Sequence, residues 1–471
     1  MELKVDLDAL SIELRQRKAG VRSLLTCHAD WCKIERANDQ LISFALECCE
    51  VDGYSPRLAA SLIGSAFFLP YVRDRRGELR RVQNQLGAAV QRLAGCEAKP
   101  ANRRPKALSE DSRFRIGFLS HGLRGHSVGW MCRSLFEHMD RRRFCVHLYM
   151  LADKGWLERD QAWFVAHADS SWRTLDWTEM AERIRLDRID LLLDLDSASV
   201  DLAALVVAQR PAARIATWLG WDASGIPAVD FYIADSISCP KEHGSEYREQ
   251  VVHLECFAAV PDFDIGAGSV SRQSLGIPED AVVFYSGQTP YKRNPSNFLD
   301  QLSIVASARN GFLVLKGWHQ PSSVSWVQSC LESVGLPLSR IRFLDWEPCA
   351  DTHRANLSIA DIVLDTFPYN GVTTTAEALW CGVPVVTQCG SQFTSRSGAA
   401  LVDDYGLASL VATSREEYID IGVRLGSDCH AREELRAHCA SLKASGYERR
   451  AEFSRRMQEL WLDLIESEVK T

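Results

Sequence analysis

ADIVLDTFPYNGVTTTAEALWCGVPVVT, residues 360–387, is the stretch on which the fold turns. The apolar run Ile362, Val363, Leu364 predicts the end of a buried strand. A loop follows, broken by Pro368, Asn370 and Gly371. Thr373, Thr374 and Thr375 open a helical pattern that runs on through Glu377, Leu379 and Trp380. Thr374 and Glu377 have the T-x-x-E spacing of a capping box, which starts the helix there. Gly382 ends it, Pro384 follows, and 383–387 reads as the next strand. Such a unit is an anion site in outline. First-turn amides lack intrahelical acceptors, the helix dipole favours negative charge, and threonine hydroxyls add donors. The same residues also read as no more than a well-capped helix in an α/β domain.

Outward from this unit the chain alternates. Before it, strands are predicted at 114–120 (FRIGFLS), 143–150, 190–195, 215–219 and 232–234, with helices at 128–139, 180–186 and 200–209. A polar crossover spans 262–274. Strands follow at 282–286, 311–316 and 341–344, with helices at 295–307, 325–334 and 353–358. Beyond the anchor come apolar segments at 398–402 and 408–411 and a helix at 415–425. Strands alternating with helices predict parallel sheets covered on both faces. Two successive α/β halves are predicted, and an open parallel sheet binds ligands at its C-terminal strand ends. Residues 1–105 read as a small all-helical domain. In it Leu79, Val82, Leu86, Val90 and Leu93 form one apolar face, with Arg80, Arg81, Gln83 and Arg92 opposite. Leu7, Leu10 and Leu14 begin a similar stripe, and no helical repeat is visible. Residues 95–111, with Pro100 and Pro105, read as a linker. The expected division is 1–105, 112–265, 275–445, and a C-terminal amphipathic helix within 446–471 bearing Phe453, Met457, Leu460, Trp461 and Leu464.

With 471 residues the chain has ample length for several domains, and 46% hydrophobic with 25% charged residues is ordinary for a globular protein. A net charge of −8 argues against nucleic-acid binding by bulk electrostatics. The 15 cysteines are scattered without a C-x-x-C pair, which suits free thiols in a reducing compartment. MELKVDLDAL lacks a signal pattern, and the longest apolar run, 58–69, falls short of the ~20 residues of a membrane span. A cytoplasmic protein with no membrane span is expected. There is no P-loop, H-E-x-x-H or G-x-S-x-G.

DTFPYNGVTTTAEALWCGVPVVT resembles the signature of the O-linked N-acetylglucosamine transferase and SPINDLY family of protein glycosyltransferases. The resemblance covers about 114–465 and is strongest at 285–396. It implies a GT-B fold, two Rossmann-like domains facing a cleft, with a C-terminal helix crossing back to the first half. It implies an inverting, metal-independent transfer from a nucleotide sugar, UDP-N-acetylglucosamine or another UDP-hexose, to a protein or peptide side chain, with no further cofactor. Thr373, Thr374 and Thr375 would hold the donor pyrophosphate and Glu377 the ribose, unless Glu377 only caps the helix. Gln288 and Lys292, in GQTPYKRNPS, match the family's phosphate-contacting segment. A lysine and a helix start can stabilise the charge that grows on a departing diphosphate. Lys292 could equally be a solvated loop lysine.

His126, in LRGHSV of the first strand–helix loop, matches a family histidine with a base or acceptor-positioning role. As a plain sequence feature it reads as a loop histidine capping the next helix. His121 has no such match and reads as a bystander. Gly220, in the W-L-G turn Trp218, Leu219, Gly220, would let a sugar approach the backbone, or simply end a strand. His353 aligns with a histidine near the nucleotide base, or is a surface histidine. Ser395 and Arg396 match a pair near the phosphates or of structural use. Asp194 and Asp196 make a D-x-D, but on a strand end of the first half, and no metal ligand is assigned there. The chain departs from many relatives at Val372 and Ala198, where those carry histidine. A GDP-fucose-dependent or asparagine-linked enzyme of the family, and a catalytically weak nucleotide-sugar-binding scaffold, are the alternatives.

Overall fold

The computed structural model describes residues 6–27, 30–95, 112–155, 157–317 and 321–467. The expected linker lies outside these from residue 96 on. The amino-terminal part consists of helices α1 (Leu7–Thr26), α2 (Trp31–Cys49), α3 (Pro56–Leu62), α4 (Leu69–Val72) and α5 (Arg76–Ala94). The apolar stripe of α5 is buried as its spacing predicts. The opposite face is only partly solvated: Arg81 and Arg92 are exposed, but Arg80 and Gln83 are each 1% exposed. α5 is held between its sister helices and the first α/β half. Arg80 Nη1 donates to Asp222 Oδ2 at 3.1 Å and to the Ala223 carbonyl at 2.9 Å, and Gln83 Nε2 donates to the Ser224 carbonyl at 2.7 Å. A polar residue that is buried and paired has the same sequence signature as a solvated one. The crossing is close: a Cβ on Gly87 would sit 2.3 Å from the carbonyl carbon of Gly225, so glycine is required there.

The first sheet contains β1 (Phe114–Ser120), β2 (Phe144–Met150), β3 (Ser170–Arg173), β4 (Leu191–Asp194), β5 (Ile215–Thr217), β6 (Phe231–Asp235) and β7 (Gln250–Leu254), in the order β3-β2-β1-β4-β5-β6-β7. The second contains β8 (Val282–Ser286), β9 (Gly311–Lys316), β10 (Ile341–Leu344), β11 (Ile362–Leu364), β12 (Val385–Gln388) and β13 (Val411–Ala412), in the order β10-β9-β8-β11-β12-β13. Every pairing is parallel, for example Ile116 with Val146 on one side and Leu191 on the other. The edge strands β3 and β7 escape the sequence pattern because their residues are largely half-exposed and carry no apolar run. Residues 398–402 lie within a helix, Ser397–Asp404.

In each sheet the strand order reverses beside its first strand, between β1 and β4 and between β8 and β11. Doubly wound sheets open a crevice at that point. The C-terminal helix Gly446–Glu466 runs back onto the first half. Its buried Trp461 sets its ring edgewise to Phe118 and Phe144, at 5.8 and 5.6 Å. No helix among the described residues is long and apolar enough to cross a membrane.

Candidate active-site cleft

A cleft of about 450 Å³ lies between the two halves. Its walls are the loops that follow β1, β4 and β5 on one side and β8, β11 and β12 on the other, and Phe67 and Tyr71 of the helical domain close one end. Both strand-order reversals therefore open into the same space.

Asp365, at the end of β11, organises the second wall. It is 1% exposed. Its Oδ1 accepts from Gln288 Nε2, the Thr366 amide and the Gly371 amide, each at 2.8 Å, and its Oδ2 accepts from Thr387 Oγ1 at 2.8 Å. Burial pushes this carboxyl up to about 6, against the pull of its hydrogen bonds and of Lys292. The loop it ties down delivers the helix Thr373–Trp380, whose first-turn residues Thr373 and Thr374 line the cleft. Thr375 does not. It is buried and donates through Oγ1 to the Gly371 carbonyl at 3.0 Å.

The capping box does not form. The N-cap is Val372, which makes no side-chain cap bond, so Thr374 is already inside the helix. Glu377 turns away from the helix start, and its Oε1 accepts from Arg354 Nε at 3.0 Å with both side chains about 5% exposed or less. A charge-assisted bond to a buried guanidinium outcompetes one to a backbone amide. His353 Nε2 lies 3.7 Å from Glu377 Oε2, and burial beside Lys316 and Arg354 pulls the imidazole down to about 3. His353 and Glu377 thus form a buried group with Arg354 and do not line the cleft.

Lys292, in the turn after β8, donates Nζ to the Asn370 carbonyl at 2.8 Å and lies 4.0 Å from the centre of the Tyr369 ring. Burial lowers its ammonium to about 8, with Asp365 holding it up. It is not a solvated loop lysine. Gln288 is pinned to Asp365 at the same wall. Ser395 and Arg396 are structural: Ser395 Oγ donates to Asp74 Oδ1 at 2.8 Å, and Arg396 Nη1 to the Gly390 carbonyl at 2.6 Å.

On the facing wall, His126 is the N-cap of the helix Ser127–Glu137, its Nδ1 accepting from the Val128 amide at 3.3 Å. Burial, His121 and Arg124 lower it to about 4. It is therefore neutral near pH 7, and with Nδ1 accepting, its proton is on Nε2. His121 also lines the cleft, with its ring centre 4.8 Å from that of His126. Its Nδ1 is 3.0 Å from Asp196 Oδ1, at ion-pair distance though not aligned as a hydrogen bond in this rotamer. Asp196 is fully buried and fixed by Ser120 Oγ at 2.6 Å and the His121 amide at 2.7 Å. Asp194 accepts from the amides of Asp196 and Ser197 at 3.0 and 3.1 Å. Both carboxylates of the D-x-D are thus engaged by the protein's own donors. Ala198, where relatives carry histidine, is buried. Gly220 borders the cleft, but the Cβ it lacks would sit 2.1 Å from the Leu195 carbonyl oxygen. Glycine is required there by the neighbouring strand end, whatever binds in front of it.

The structure thus brings His126, Gly220, Gln288, Lys292, Thr373 and Thr374 together and leaves Thr375, His353 and Glu377 behind the wall. Sequence reading missed His121, Asp365, Arg354 and the aromatic end of the cleft, where Tyr71 stacks on Tyr369 at 4.7 Å. The one available signal for His121 and Asp365 was position, each directly following the last residue or two of a predicted inner strand.

The family model described as Glycosyl transferase family 41 matches residues 69–267 and 268–449. The chain is 31% identical over 345 residues to the probable UDP-N-acetylglucosamine--peptide N-acetylglucosaminyltransferase SPINDLY of Arabidopsis thaliana, a match covering 70% of this chain and 37% of that one. To its namesake in Hordeum vulgare it is 31% identical over 342 residues, 69% of this chain and 35% of the other. The chain spans about a third of the length of these curated relatives. Among solved structures, a mutant of Thermobaculum terrenum O-GlcNAc transferase superposes with a TM-score of 0.71 at 23% identity, covering 98% of this chain and 99% of that one. That likeness gives both chains the GT-B architecture.

Proposed function

The chain belongs to glycosyl transferase family 41, and from that premise we propose that it transfers a sugar, with inversion and without a metal, from a UDP-hexose such as UDP-N-acetylglucosamine to a protein side chain. One observation carries the reading most: a lysine with no carboxylate bonded to it and an open helix start share one wall of a cleft that both sheets open into. The amides and hydroxyls of Thr373 and Thr374 and the ammonium of Lys292 would receive the diphosphate. As the bond from the anomeric carbon to the phosphate oxygen breaks, its electron pair goes to that oxygen, and these groups stabilise the charge. For Glu377 and His353, which lie buried behind this wall, a contact with the nucleoside would require their group with Arg354 to open.

The acceptor oxygen or nitrogen attacks the anomeric carbon from the opposite face and must lose a proton. His126, with its proton on Nε2, is set to donate a hydrogen bond and so to position a substrate oxygen. His121 has the arrangement of a base. Asp196 beside Nδ1 fixes the proton there after a small ring rotation, leaving the Nε2 lone pair to accept the acceptor's proton.

The test is binding of UDP, GDP and their glucose, N-acetylglucosamine and fucose conjugates to the full chain, beside Lys292→Ala, with sugar release followed in the same samples. We expect one uridine nucleotide to bind, Lys292→Ala to weaken it at least tenfold, and its sugar to be released. A guanosine nucleotide bound instead overturns the donor assignment. A nucleotide bound without sugar release, even with candidate acceptor proteins present, supports the scaffold reading, which the buried Ala198 favours. No nucleotide binding overturns the proposal.

A further inference from the structure

A second hollow, of about 790 Å³, adjoins the cleft between α1 and the first half. Phe67 and Ser199 line both, so the two adjoin at these residues. α1 presents Arg15, Lys18 and Arg22 to it, three and four residues apart and so on one face. Against these cations the lining holds one acid, Asp201. Neighbouring arginines on the same domain are paired, Arg17 to Glu13 at 2.6 Å and Arg73 to Glu78 at 2.6 Å. Arg22 makes no side-chain hydrogen bond or ion pair among the described residues, and Arg15 reaches only Ser61 Oγ, at 3.0 Å. Lys18 donates to the Ile63 carbonyl at 2.8 Å, and burial pulls its ammonium down to about 8 against Asp201, which holds it up, with Arg15 and Arg22 adding to the fall. Three cations left together by a chain of net charge −8 mark a surface built for an anion.

We infer that this groove seats an acidic segment of the acceptor polypeptide, lying to one side of the residue that receives the sugar. The inference rests on the function proposed above, which puts the acceptor side chain in the adjoining cleft. Arg15 and Arg22 are about 10 Å apart along the helix axis, a length that about three extended residues cover. The occupant is therefore a short run of aspartate or glutamate, reached past Phe67. A carboxylate arriving beside Lys18 would also offset the cost of its burial.

The test uses the full chain with saturating UDP and fluorescent peptides centred on one serine. The peptides carry three acidic residues before it, three after it, or none, and a uridine-rich single-stranded RNA serves as a further probe. One acidic peptide should bind about tenfold or more tighter than the neutral one in low salt. That preference should vanish at high salt and in Arg15→Ser/Arg22→Ser, both exposed positions, while UDP affinity stays unchanged. Equal binding of all peptides overturns the inference, as does a preference on both sides or one that survives the double substitution. Tighter binding of the RNA, lost in the same variant, makes the groove a nucleic-acid site and overturns it too. If UDP itself fails to bind, the proposed function falls, and the peptide comparison without nucleotide still decides the groove.

Discussion

His121 and His126 stand ring to edge in the same cleft, yet their nitrogens are set for opposite tasks. His126 accepts a backbone N–H at Nδ1 and so carries its own proton on Nε2, whereas His121 has a buried carboxylate at ion-pair distance from Nδ1 and, on the proposed tautomer, would show the cleft a lone pair. His121→Gln should therefore lower kcat by about 10²–10⁴, the range for loss of a general base, without changing UDP affinity. His126→Gln should cost about tenfold, as for one hydrogen bond. Steady-state kinetics beside equilibrium UDP binding separates them, and equal losses would contradict the assignment. Only His126 stood out in the sequence. The partner that makes His121 useful arrives from a strand end 75 residues on, and only the pairing of β1 with β4 brings it there.

Lys292 sets a pH limb by the same reasoning. If the ammonium receives the diphosphate as proposed, UDP affinity should be level below about pH 8 and fall above it, by at most tenfold per unit. Asp365 is the anion that holds this ammonium charged. Asp365→Asn should move the limb to lower pH, and a limb that stays in place or rises would show that Asp365 does not act on Lys292. UDP titrations from pH 6 to 10 measure both.

At the scale of the element, the helix Thr373–Trp380 begins where its threonines predict, but not by the device its spacing suggests. A T-x-x-E pattern is local, and it cannot register that Arg354, on another helix, binds the glutamate more strongly. The two accounts differ in consequence. A true N-cap threonine costs about 1 kcal/mol when lost. Thr374→Ala should instead leave stability within about 0.5 kcal/mol, as for an ordinary surface change, and weaken UDP binding. Glu377→Ala takes one of two carboxylates from a buried guanidinium that keeps Asp351 at 3.1 Å and the Asp264 carbonyl at 3.0 Å, and should cost about 1.5–3 kcal/mol. Urea unfolding of both variants tests the pair, and a stable Glu377→Ala beside a destabilised Thr374→Ala would restore the capping box.

Across the whole molecule, the alternation of strands and helices made both sheets legible, because inner parallel strands are apolar runs set by burial on two faces. What the pattern could not carry is how the parts are fastened, since fastening uses polar groups that look solvated in sequence. The helical domain grips both halves. Arg80 is buried against Asp222 of the first, and Asp74 accepts from the Ser391 amide at 2.6 Å, the Gln392 amide at 3.1 Å and Ser395 Oγ at 2.8 Å in the second. Phe67 and Tyr71 can close the end of the cleft only while that grip on the second half holds. Asp74→Ala takes the acceptor from the Ser391 amide, worth about 1 kcal/mol or more, and leaves the Gln392 amide and Ser395 Oγ to each other and to the Gln392 carbonyl. Amide hydrogen exchange should accelerate at 390–395 and in α4, and remain unchanged in the C-terminal helix, which is anchored separately through Trp461. On the proposed function, UDP affinity should fall as well as sugar transfer, because Tyr71 of the loosened element stacks on Tyr369, whose ring lies 4.0 Å from Lys292 Nζ. Unchanged exchange at 390–395 would mean that the second half is held by other contacts, and that the aromatic end of the cleft keeps its place without Asp74.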